Sequence, residues 1–125
     1  ECPAITKKIL VSENTEDNRQ ILRDLLGMAG YEMIEAHDGA EGVAMAERHL
    51  PDLILMDIQM PVMDGYEATR RIKAVPELKS VPVIAVTSYA LSGDEARTRE
   101  AGCDAYIAKP YSPRQLLAKV REIIG

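Results

Sequence analysis

The sequence has no tryptophan and no phenylalanine, and only five tyrosines in 125 residues. Its core must therefore be aliphatic, and it lacks the aromatic platforms on which single-stranded nucleic acid stacks. No apolar run approaches the ~20 residues needed to span a bilayer. Basic charge is also in deficit, with 15 Lys and Arg against 20 Asp and Glu and a formal net charge of −5. A surface that tracks phosphates draws on clustered Lys and Arg, so direct nucleic-acid binding is not expected. The local cluster of Arg70, Arg71 and Lys73 reads as a solvated helix face. The two cysteines, Cys2 and Cys103, lack metal-ligand spacing and are expected to be reduced, inert thiols. His37 and His49 are read as solvent-facing. No secretory leader pattern precedes the first apolar segment, so the expected setting is cytoplasmic.

What the chain does have is alternation. Short β-branched or aliphatic runs exchange with longer amphipathic segments five times, the pattern of a parallel sheet with crossover helices. The strands are expected at Lys8 to Glu13, Glu32 to His37, Leu53 to Asp57, Pro82 to Thr87 and Ala105 to Ala108. Leu53 to Met56 and Val83 to Val86 are continuously apolar, as inner strands covered on both faces should be. Ile21, Leu22, Leu25, Leu26 and Ala29 mark one face of the first helix; Leu116, Leu117, Val120, Ile123 and Ile124 mark a face of the last. Ser92-Gly-Asp-Glu95 and Ser112-Pro-Arg-Gln115 have the form of capping boxes, the second with Pro at the first helical position, and Asp38-Gly-Ala-Glu41 and Asp64-Gly-Tyr-Glu67 resemble them. Gly30 and Gly102 follow helical patterns and suit left-handed C-caps. The expected organisation is a tail over 1–7 and one α/β domain over 8–125, with no repeat and no linker.

Right-handed crossovers bring the C-terminal end of every parallel strand to one edge of the sheet, where open α/β folds carry their sites. The residues arriving there are Glu13 and Asn14, Asp57, Thr87 and Lys109. Carboxylates and an amide suit a hard divalent cation such as Mg²⁺, and Lys109 adds a point cation. A carboxylate ringed by metal, ammonium and hydroxyl is what phosphoryl transfer to an aspartate requires. Asp57 is then the nucleophile, with Thr87 bonding one phosphoryl oxygen.

These residues resemble the response-regulator receiver family. The likeness is carried by Lys8-Ile-Leu-Val11 and the acidic turn after it, by the thirteen residues from Leu53 through Met-Asp57 and Met60-Pro61 to Asp64-Gly65, by Val83 to Thr87, and by Gly102-Cys-Asp-Ala-Tyr-Ile-Ala-Lys-Pro110. It covers residues 8 to 125. The resemblance implies a flavodoxin-like, doubly wound (βα)5 fold with a five-stranded parallel sheet in the order 2-1-3-4-5. It implies that a sensor histidine kinase or phosphotransfer protein donates a phosphoryl group to Asp57. It further implies Mg²⁺ held by Glu13, Asn14, Asp57 and the backbone carbonyl of Gln59, slow self-hydrolysis in place of turnover of a separate substrate, and a cis peptide before Pro110. Thr87 and Tyr106 would form the switch pair. The fourth helical segment, fifth strand and fifth helical segment would carry the output to a target protein, with a homodimer also open. Gln59 and Tyr89 fall where the family tunes dephosphorylation.

The sequence departs from the family where Asn14 replaces the second acid after strand one. An Asn carbonyl can coordinate a cation but brings no charge, so weakened Mg²⁺ binding is expected. Ser12 also stands where an aliphatic residue is usual. Asn14 supports an alternative reading, a receiver that docks on a partner with little dependence on phosphate. A second rival, a phosphatase of the aspartyl-phosphate type, needs a general acid two residues after the nucleophile, and Gln59 fills that position. A glycine-rich phosphate loop is absent after strand one, where Ser12-Glu-Asn-Thr15 stands.

Overall fold

The computed structural model describes residues 7–13, 15–57, 65–87, 99–108 and 112–124. Five parallel strands, β1 (Lys8–Ser12), β2 (Glu32–Ala36), β3 (Leu53–Asp57), β4 (Val83–Thr87) and β5 (Ala105–Ala108), form one sheet in the order β2-β1-β3-β4-β5. The helices are α1 (Glu16–Met28), α2 (Gly39–His49), α3 (Gly65–Lys73) and a C-terminal helix (Pro113–Ile124), with a short 3-10 turn at Pro76–Leu78. The expected strand order is the observed one, and strand bounds differ from expectation by at most one residue at an end.

Alternation along each strand sorts side chains to two faces. From β3, Leu53 and Leu55 join Leu22 and Leu26 of α1 and Leu116 and Val120 of the C-terminal helix. Ile54 and Met56 face the other way, toward Ala46 of α2 and Ala68 and Ile72 of α3. All five β3 residues are buried, which explains why this strand reads as an unbroken apolar run. The sheet is thus covered on both sides, as in a doubly wound fold.

Local signals set the boundaries. Ser112 and Gln115 form a reciprocal capping box: Gln115 N–H donates to Ser112 Oγ at 3.1 Å, and Ser112 N–H donates to Gln115 Oε1 at 2.9 Å. Asp38 caps α2 through the Glu41 N–H at 2.8 Å, while the Glu41 carboxylate turns back to the His37 N–H and ring Nδ1. His37 is exposed as expected and pairs with Glu41, whereas His49, also expected to face solvent, is half-buried. Gly30 and Gly102 have φ of 90° and 105°, the left-handed backbone expected of them. The Ser92 box and Asp64 lie outside the described residues.

Leu50 performs the same C-cap task at the end of α2 without being glycine, with φ 48° and ψ 64°. A branched side chain there is strained by ~1–2 kcal/mol, and Leu50 is half-exposed, so little packing offsets the strain. Leu50→Gly is expected to stabilise the protein by roughly 0.5–1 kcal/mol after the entropy of the unfolded glycine is deducted. A urea titration would register this as a higher midpoint at unchanged slope; a lower midpoint would mean that Leu50 packing outweighs the strain.

Two expectations are corrected by the structure, and one oddity is explained. Ile21 is 58% exposed and lies off the core face of α1. Lys73 is no solvated lysine: its ammonium donates to Val81 O at 2.6 Å and pairs with Asp104 Oδ2 at 2.9 Å. The carbonyls that end the 3-10 turn need a donor, and Lys73 reaches them along the last turn of α3. Ser12, polar in a buried strand, donates to Asp38 O at 3.0 Å. A Cβ at Gly42 would come within 2.8 Å of Ser12 Oγ, so the hydroxyl has room because α2 carries glycine above it.

Candidate functional site at the carboxyl edge of the sheet

Parallel pairing puts the ends of β1 and β3 side by side. Ser12 is in register with Met56 of β3 and with Ala36 of β2. The next residues along are Glu13 and Asp57, which are both only 4% exposed. Two acids are thus buried on adjacent strand ends, a costly placement that protein cores accept when partners, a cation or chemistry compensate.

Glu13 is held on several sides. Its N–H donates to Ala36 O at 3.0 Å, continuing the β1–β2 ladder one step beyond the strand. Its Oε2 accepts from Thr15 N–H at 3.2 Å, just before α1 begins. Its backbone carbonyl accepts from Arg19 Nη1 at 2.6 Å. Arg19, a residue that sequence reasoning passed over, is 5% exposed; its Nη2 donates to Glu16 at 2.8 Å and its Nε stands 3.5 Å from Glu35. Arg23 of α1 takes Glu35 in a two-pronged bond of 2.7 and 2.6 Å. That bond holds the Glu35 carboxyl below its ordinary range.

On the other side of β3, Asp57 is in register with Val86 of β4, and Thr87 follows, paired with Ala108 of β5. Asp57 and Thr87 therefore end neighbouring strands at the same edge. Tyr106 pairs with Ala85, two residues below Thr87, and is half-buried against the α2–α3 face. Asn14, Gln59, Tyr89, Lys109 and Pro110 lie outside the described residues, so the cation partner of Asp57 and the expected cis peptide are not described. Among the described residues no cluster of three or more His, Cys, Asp or Glu gathers. A pair of oxygen donors is nonetheless a fit to Mg²⁺, which takes few protein ligands and keeps several waters.

Cys103 is buried beside Thr69, its sulfur 3.8 Å from Oγ1. Burial pushes its thiol above the ordinary range, so it has the inert character expected from sequence. Cys2 lies outside the described residues. Among the described residues no helix is long and apolar enough to cross a membrane.

A five-stranded parallel sheet, covered by helices and with acids buried where β1 and β3 end, defines a class of proteins. The response regulator receiver domain model matches residues 9–121, and the chain belongs to that family. The chain is 44% identical over 121 residues to the polar-differentiation response regulator DivK of Brucella ovis, covering 97% of this chain and 98% of that protein. Among solved structures it is similar to the receiver domain of the sensor histidine kinase PA1611 of Pseudomonas aeruginosa, at 38% identity and a TM-score of 0.89 over 97% of this chain and 99% of that one. That structure has a magnesium ion coordinated in its active site cleft. The Vibrio cholerae chemotaxis protein CheY4 matches at 28% identity and a TM-score of 0.91, over 95% and 99% of the two chains. The protein is accordingly a response-regulator receiver that serves phosphoacceptor signalling.

Proposed function

We propose that Asp57 is the phosphoacceptor. The observation that carries this reading is the burial of Asp57 beside Glu13 at the ends of β3 and β1. An Asp57 carboxylate oxygen attacks phosphorus as the bond from phosphorus to the donor's imidazole nitrogen breaks, leaving an acyl phosphate on the protein and a free imidazole on the donor. The donor is a histidine kinase or phosphotransfer protein. Hydrolysis of the acyl phosphate later releases inorganic phosphate and regenerates Asp57, so the protein turns over no separate substrate. Mg²⁺, held by Glu13, Asn14, Asp57 and the Gln59 carbonyl, would neutralise charge on the phosphoryl oxygens. Lys109 offsets the same charge as a point cation, and Thr87 donates its hydroxyl to a phosphoryl oxygen. Tyr106 then answers the movement of Thr87, and the segment leading to β5, β5 itself and the C-terminal helix carry the change to a target protein or a second copy. The working unit is residues 8–125, with 1–7 as a tail, acting in the cytoplasm where such donors are found.

Incubation with acetyl phosphate and Mg²⁺ should retard the protein on a phosphate-binding gel. No retardation, with the protein folded, would leave the docking-module reading in its place. Asn14 tunes this chemistry. Asn14→Asp adds a formal charge to the ligand set and is expected to tighten Mg²⁺ binding by about tenfold, ~1.4 kcal/mol, in calorimetric titration. Equal affinities in the two chains would remove the role given to Asn14.

A further inference from the structure

We propose that Arg19 is a positioning residue for this site, holding the end of β1 so that Glu13 is set for the cation; the proposal rests on the reading of the site given above. Arginine is seldom buried to this degree unless its donors are used. Arg19 spreads its donors over three elements. Nη1 holds the Glu13 carbonyl at 2.6 Å, Nη2 holds Glu16 in the first turn of α1 at 2.8 Å, and Nε faces Glu35 of β2 at 3.5 Å, buried without a hydrogen bond. The bond to Glu13 is the shorter of the two hydrogen bonds and goes to a main-chain atom.

A surface ion pair with Glu16 would not need a buried guanidinium, because Glu16 is largely exposed. The Glu13 carbonyl does need a donor. It lies where β1 ends and the ladder bonds stop, since the last bond on that side is from Glu13 N–H to Ala36 O. Arg19 supplies it from one turn into α1, while its own N–H bonds Thr15 O at 3.0 Å and Thr15 N–H bonds the Glu13 carboxylate. The loop is therefore clasped twice: Arg19 takes the Glu13 main chain and Thr15 takes its side chain. Removing the first clasp frees the main chain at Glu13, and with it the setting of that proposed oxygen ligand. Groups that orient metal ligands from behind commonly govern affinity by about tenfold or more.

The sign of the effect separates positioning from charge. Deleting a buried positive charge near a cation site should tighten cation binding by Coulomb's law. Deleting a positioning group should weaken it. General destabilisation should leave the affinity of the folded protein unchanged.

Calorimetric titration of Mg²⁺ into the full chain tests this with Arg19→Gln and, as control, Glu16→Gln, which removes an exposed ion-pair partner and leaves the Glu13 bond intact. Arg19→Gln is expected to weaken Mg²⁺ about tenfold, and Glu16→Gln to stay within about twofold of the parent, since its charge is screened. Should Arg19→Gln fail to fold, Arg19→Lys keeps the charge but cannot span Glu13 and Glu16 together, and a loss of about threefold or more is expected. Affinity unchanged or tightened in the folded Arg19 variant overturns the proposal, as does an equal loss in Glu16→Gln. A parent chain that binds no Mg²⁺ overturns the site reading and this inference together. A parent that binds, matched by its Arg19 variant, overturns this inference alone.

Discussion

An Asp57→Asn chain mixed with acetyl phosphate and Mg²⁺ is expected to gain no phosphoryl group over a time in which the parent gains one. Asparagine has nearly the shape of aspartate, so it can end β3 in the same buried position. Its amide oxygen is not a competent nucleophile, and the loss should be complete within detection. The carboxylate described at the neighbouring strand end is that of Glu13, whose Oε2 already accepts from Thr15. Intact-protein mass spectrometry with circular dichroism as a fold control reads the result. A folded Asp57→Asn chain that still takes up a phosphoryl group would move the acceptor to another carboxylate and end the assignment to Asp57.

The second large effect is on stability. Leu55→Ala should cost about 2–5 kcal/mol, out of the ~5–15 kcal/mol that holds a domain of this size together. Leu55 is 2% exposed at the centre of the middle strand and packs into the cluster shared by α1 and the C-terminal helix. Both covering layers are fixed by neighbouring strands, so neither can collapse freely into the space left behind. Urea denaturation should show a lower midpoint with the slope kept. A cost below ~1 kcal/mol would mean that the two helices close over the gap.

The positions of the strands were legible because a sheet covered on both faces leaves nothing polar in its central strand: Leu53 to Met56 could be little else. Helix ends were legible where a side chain does the capping, as at Asp38 and Ser112, or where only glycine fits, as at Gly30 and Gly102. Leu50 escaped notice because its strained backbone leaves no mark in residue type.

Helix α1 was legible only in part. The sequence offers Ile21 as a core residue and passes over Arg19, yet the buried stripe runs Arg19, Leu22, Leu26, at spacings of three and four. Hydrophobic periodicity finds Leu22 and Leu26 but misplaces the border of the stripe, because it does not count a main-chain carbonyl at a strand end as something a helix can be built to face. Lys73 was misread for the same reason, its ammonium being drawn in by carbonyls. For the site itself, the adjacency of Glu13 and Asp57 followed from topology, whereas what holds Glu13 in place did not. Ser12, an oddity in sequence, became ordinary once its bond to Asp38 and the glycine above it were seen.

The amino end of the sheet is fastened by a device that the carboxyl edge does not share among the described residues. Asp52, just before β3, donates its N–H to Lys8 O at 2.8 Å and accepts from Lys8 N–H through its carboxylate at 2.8 Å. Asp104, just before β5, does the same to Val83, with its N–H on Val83 O at 2.8 Å and its carboxylate on Val83 N–H at 2.9 Å, while Lys73 pins that carboxylate. The strands resemble the ribs of a fan riveted at the handle. A slip of one residue would shear both rivets and turn each strand's side chains to the wrong face. The two fastenings fix the register of β1 with β3 and of β4 with β5, and with it the level at which Glu13, Asp57 and Thr87 reach the far edge.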